Sequence, residues 1–92
     1  MAFAIAFKPA SMNAAQYDET IRRLAAAGAG APKGRLYHAC HGEGSDLRVV
    51  DVWESMETFE KFGQTLMPIL KEIGVDPGAP DIRPIHNVIN GV

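Results

Sequence analysis

"RVVDVWESMETFEKFGQTLMPILKEIGV", residues 48–75, reads as a buried strand that runs straight into a capped helix. Val49, Val50 and Val52 come in near succession, so both faces of the strand are apolar, as in the middle of a sheet. Ser55 is a natural N-cap. Phe59, Phe62, Leu66, Ile69, Leu70 and Ile73 then recur at helical spacing and form one apolar stripe, which Gly74 ends. Pro68 falls inside the stripe. It has no backbone N–H to donate, so a kink or break is expected there.

The rest of the chain is read outward from this unit. "GRLYHACH", residues 34–41, precedes the strand, and the glycine-bearing turn "GEGS" joins the two as a hairpin. Near the start, Phe3, Ile5 and Phe7 alternate with Ala2, Ala4 and Ala6, which predicts a strand buried on both sides and central in its sheet. Asn13 and Gln16 have capping-box spacing, with Ser11 a rival cap. Tyr17, Ile21, Leu24 and Ala25 give that helix its apolar face, Glu19 with Arg22 and Arg23 gives it a solvated one, and Gly28 and Gly30 stop it. "GVDPGAPD" is a loop. "IRPIHNVI", residues 82–89, is a last strand, placed at an edge by Pro84.

The predicted class is therefore α+β. The order strand, helix, strand, strand, helix, strand is that of a ferredoxin-like βαββαβ unit, a single domain over residues 1–92 with a four-stranded antiparallel sheet. Two helices cover only one face of such a sheet. The other face needs a cover, and a second copy related by two-fold symmetry is the simplest, so a homodimer is expected.

Bulk properties narrow the function. A 92-residue chain buries a modest core, and one cysteine offers it no disulfide. The net charge of −2 with interspersed signs lacks the basic patch that nucleic-acid binding requires. The apolar start "MAFAIAF" is too short for a signal core or a membrane span, so the expectation is a cytoplasmic protein with neither nucleic acid nor membrane as partner.

"RLYHACHG", residues 35–42, concentrates the reactive side chains. Along a strand, His38 and Cys40 face one way and Tyr37 and His41 the other. Without a bulge they cannot converge on one ion, and no second ligand pair exists, so no metal is expected. Cys40 reads more readily as a small buried hydrophobe than as a nucleophile. Asp51 interrupts the valines of a central strand. A buried carboxylate must be paired, wet or protonated. Its partner is His38 across the hairpin if the register permits, or else backbone amides at the helix start. A facing pair would make an oriented imidazole able to act as a general base, or a structural ion pair. Trp53 is core or pocket wall. His86 and Asn87 point to opposite faces of the last strand, and Tyr17 and Tyr37 read as core residues with hydroxyls at the rim, or else as donors to a ligand. No phosphate-cradling loop or nucleophile elbow is present.

The run from the tryptophan strand through the proline-containing helix, followed by "IHNVI", resembles the dimeric α+β barrel proteins of the antibiotic-biosynthesis-monooxygenase-like (ABM-like) group. The resemblance implies two ferredoxin-like units packed sheet to sheet, each with a pocket. It also implies a small apolar or aromatic ligand, no cofactor, and, as the most concrete activity, cofactor-independent monooxygenation. The haem-degrading relatives use an asparagine on the first strand and a histidine on the second helix. Both are missing here, which speaks against haem degradation. The expected pocket is lined by Phe3, Phe7, Trp53 and Phe62 with His86. His38 and Asp51 are its catalytic pair: His38 takes a phenolic proton, Asp51 orients it, and Trp53 holds the ring. The alternatives are a non-catalytic small-ligand binder of stress-response type, or an isomerase or lyase using the same pair.

Overall fold

A computed structural model of the chain, which describes residues 1–91, has the elements β1 (Phe3–Phe7), α1 (Ala14–Ala26), β2 (Arg35–His41), β3 (Arg48–Trp53), α2 (Met56–Ile73) and β4 (Asp81–Pro84). The sheet order is β2-β3-β1-β4, antiparallel throughout. β1 and β3 are central and β4 is an edge strand, where Pro84 costs no ladder bond on its free side.

Register decides which side chains lie under the helices. Phe3 pairs with Trp53, Ile5 with Asp51 and Phe7 with Val49. These residues face inward. Ile5, Leu24, Trp53 and Phe62 form the centre of the core, with Phe3, Phe7, Phe59 and Leu66 packed around them. Trp53 and Ile5 are wholly buried. The Trp53 ring meets Phe59 edge-on at 5.7 Å and Phe62 at 5.2 Å between centroids, geometries that favour aromatic pairs. The outer sheet face carries Ala4, Ala6, Ala39, Val50 and Val52. Burial of β1 on both sides is not found within the chain, because Ala6 is exposed and Ala4 half-buried.

Among the described residues, β2 contains the one irregularity in the ladders. Arg35 pairs with Trp53 but Tyr37 pairs with Val52, so Leu36 is an extra residue in a β-bulge. In an unbroken strand, Arg35 and His38 would face opposite sides. The bulge puts both on the helix side and leaves Leu36 and Tyr37 exposed at 62% and 58%.

The local signals explain the helices. Asn13 and Gln16 form a complete capping box, with Gln16 N–H to Asn13 Oδ1 at 2.8 Å and Asn13 N–H to Gln16 Oε1 at 3.0 Å. Ser55 caps α2 through the Thr58 N–H at 3.2 Å, and Gly74 closes it in the left-handed conformation. The break expected at Pro68 is absent, and α2 runs through it. Pro68 and Gln64, one turn earlier, are both exposed, so water can satisfy the carbonyl that proline leaves unpaired. In the hairpin turn, Gly42 has φ +115°, and a Cβ there would collide with the Asp46 carbonyl oxygen, so glycine is required.

The last strand is shorter than expected. It ends at Pro84, and His86 to Ile89 are exposed and irregular. A strand needs a partner to bond to, and β1 begins at Phe3, opposite Pro84, with one further bond from Ile85 N–H to the Ala2 carbonyl. Among the described residues, no helix is long and apolar enough to cross a membrane.

Candidate active site

His38 lies opposite Asp51 in the β2–β3 ladder, on the helix side of the sheet. His38 Nδ1 is 2.6 Å from Asp51 Oδ1. The second carboxylate oxygen, Oδ2, accepts from Trp53 Nε1 at 3.2 Å, since residues i and i+2 of a strand share a face. The other imidazole nitrogen, Nε2, is 2.6 Å from the Tyr17 hydroxyl. Tyr17 sits in the first turn of α1, whose path the capping box sets, and its own N–H makes a helical bond to Asn13 O at 3.0 Å.

The donor inventory orients this chain. An indole N–H only donates, so Asp51 Oδ2 accepts. A carboxylate at Asp51 takes the Nδ1 proton, which leaves Nε2 of a neutral imidazole to accept from the phenol. The relay thus runs Tyr17 O–H to His38, His38 N–H to Asp51, with Trp53 holding the far oxygen. Burial pushes the Tyr17 phenol above its ordinary range. A thiolate at Cys40 and the charges of Asp51 and Asp18 add to the rise, while the Arg35 guanidinium pulls it down. The phenol therefore stays protonated at neutral pH and can donate.

That direction predicts alkaline instability. The Tyr17 value in the folded chain is raised above the reference of 10.0. Its contribution to stability is full below pH 10 and is lost as pH rises through the folded value. Urea unfolding across this range should show wild type losing stability more steeply than Tyr17→Phe. Parallel curves would mean that the phenol is not buried against the relay.

The relay borders a cavity of about 60 Å³ between sheet and helices. Phe7, Leu24, Phe62, Leu66 and Leu70 give it apolar walls, and Tyr17, Thr20, Arg35, His38 and Asp51 border it with almost none of their polar surface open to the space. Ile21 is its one exposed lining residue, and Arg35 is half-buried. The cavity is smaller than the ~150 Å³ void that takes up benzene in an apolar core. A ring can enter only if the lining side chains move apart.

Of the residues singled out in the sequence, the structure brings together His38, Asp51, Phe7 and Phe62 around this cavity. Phe3 and Trp53 lie in the core behind it, and Trp53 touches the relay through its indole N–H rather than facing the space. His86 is exposed on the irregular C-terminal segment, away from the cavity, because β4 ends before it. Cys40 is half-buried beside Met12 and Leu70, and burial, followed by the Asp18 charge, pushes its thiol up. Both His38 nitrogens are engaged, so none remains to activate that thiol. Among the described residues, no three His, Cys, Asp or Glu side chains gather as a metal site would require. Two features of the cavity escaped the sequence reading, the bond of Tyr17 to His38 and the place of Arg35. Tyr17 is 21 residues from the histidine it binds. Arg35 faces the cavity only because of the bulge.

No family model matches the chain, and no curated protein matches it. Solved structures do. SnoaB, a cofactor-independent oxygenase from Streptomyces nogalater, superposes with a TM-score of 0.61 at 16% identity, covering 98% of this chain and 96% of its own. A candidate antibiotic biosynthesis monooxygenase from Caulobacter crescentus CB15 gives a TM-score of 0.65 at 19% identity, over 96% of this chain and 91% of its own. One from Deinococcus radiodurans gives 0.63 at 13% identity, over 100% and 99%. The chain has the ferredoxin-like βαββαβ fold of the antibiotic biosynthesis monooxygenases.

Proposed function

We propose that the chain is a cofactor-independent oxygenase of a small aromatic molecule with an acidic C–H or phenolic O–H. The observation that carries this reading is the hydrogen-bonded chain Tyr17–His38–Asp51 on the wall of an apolar cavity. A neutral imidazole oriented by a carboxylate is a competent general base. With Tyr17 on Nε2, the proton moves in two hops. The substrate proton passes to the Tyr17 oxygen as the phenolic proton passes to His38, and Asp51 stabilises the imidazolium. The substrate carbanion then gives its electrons to dioxygen and forms a C–O bond. The imidazolium proton returns to make a hydroperoxide. Loss of water leaves a carbonyl, so a CH2 group and O2 become C=O and H2O with no external reductant. The likeness in fold to a cofactor-independent oxygenase supports the reaction type.

Oxygen uptake with a panel of single-ring phenols carrying an activated CH2 group tests the proposal. His38→Ala should lower turnover by ~10²–10⁴-fold, the usual worth of a positioned base. Full activity in His38→Ala would refute the mechanism.

One observation favours a second reading, a passive binder of small apolar molecules. No buried side-chain polar atom among the described residues lacks a partner, so the relay is closed on itself as a structural network is. Ligand uptake without oxygen consumption, unaffected by His38→Ala, would identify that case.

The proposal includes a homodimer. Ala4, Ala6, Ala39, Val50 and Val52 make the outer sheet face apolar, and Leu36 and Tyr37 stand exposed beside it. A second sheet laid on this face would bury it. Light scattering should give twice the chain mass, and Val50→Glu should shift it toward the single chain. A monomeric wild type would remove the dimer from the proposal.

A further inference from the structure

Arg35 stands out among the residues around the cavity. It is the one Lys or Arg that lines the space, and among the described residues its guanidinium has no carboxylate partner. Its contacts are weak ones: Nη2 donates to Gly30 O at 3.4 Å, and its Cζ lies 5.6 Å from the centroid of the Phe62 ring. No bond joins it to Asp51, whose oxygens engage His38 and Trp53. The chain also deforms a strand to place this residue. Without the extra residue at Leu36, Arg35 would point to the outer sheet face. Bulges are used beside sites to re-aim a side chain in this way.

We propose that the bulge turns Arg35 into the cavity to bind the anionic oxygen of the ligand, so that the ligand class is a small aromatic acid or phenolate. Resting on the cavity as the ligand site proposed above, this adds what the ligand must carry. A guanidinium forms strong, directional bonds to a carboxylate or phenolate oxygen. The apolar walls beyond it receive the ring. At the Tyr17 oxygen the Arg35 guanidinium offsets part of the rise that burial causes.

Benzoate and benzamide, alike in shape and different in charge, test this by NMR titration. Wild type should bind benzoate about tenfold more tightly or better, the scale of one hydrogen bond to a charged group. Arg35→Met keeps an apolar stem over Phe62 and removes the charge. It should bind the two probes about equally, with benzamide affinity within roughly twofold of wild type, because the ring contacts are untouched. Arg35→Lys should keep part of the preference. Equal affinity of the two probes in wild type, binding of neither, or a preference that survives in Arg35→Met would each overturn the proposal. A charge preference without oxygen uptake on any substrate would leave Arg35 its role and refute the oxygenase. Oxygen uptake without the preference would do the reverse.

Discussion

Replacing Asp51 with alanine is expected to lower the unfolding free energy by roughly 3–5 kcal/mol, the cost of removing one partner from a buried polar pair. Asp51 is 3% exposed and holds two donors at once, His38 Nδ1 at 2.6 Å and Trp53 Nε1 at 3.2 Å. Alanine satisfies neither, and the wholly buried indole cannot turn to water. Small domains have ~5–15 kcal/mol in total, so the loss takes a large share of the whole stability. Asp51→Asn should cost less. Its amide has one acceptor oxygen for two donors, so one of the pair faces an N–H unless His38 changes tautomer. Urea unfolding of the three proteins measures both losses. A loss below about 1 kcal/mol for Asp51→Ala would mean that water replaces the carboxylate and that the relay is wetter than its burial indicates.

The parts of this site that were legible in the sequence are the locally determined ones. The capping box at Asn13 and Gln16, the Ser55 cap and the Gly74 stop depend on residues a turn apart, and all are found. Strand order followed from patterning, since the valines of β3 and the proline of β4 bear directly on who their neighbours are. The pairing of His38 with Asp51 was readable only as conditional. A hairpin slip of one residue would have put them on opposite faces, and the register rests on a turn whose shape depends on Gly42. The rest depended on tertiary geometry. Nothing in "GRLYHACH" signals that Leu36 is an extra residue, yet that bulge decides where Arg35 points. Tyr17 meets His38 because α1 crosses the sheet at one particular offset, which periodicity does not encode. The His86 expectation rested on a strand of eight residues, but β1 is too short to pair with it that far.

Trp53→Ala should cost about 3–5 kcal/mol, the range for losing a large aromatic from a packed core. Two separate contributions make up that cost, and they can be pulled apart. The ring packs against Phe59 and Phe62, and the indole N–H holds Asp51 Oδ2. Trp53→Phe keeps much of the first and removes the second, leaving a buried carboxylate oxygen short of a donor. If that bond matters, the cost of Trp53→Phe must depend on whether Asp51 is present. In the Asp51→Ala background the indole N–H is already orphaned, so removing it should cost less, or should even stabilise. A double-mutant cycle between Asp51→Ala and Trp53→Phe should therefore return a coupling energy of about 0.5–3 kcal/mol. A coupling near zero would mean that Trp53 supports the fold by packing alone, and Asp51 would then be held in place by His38 without help from the indole.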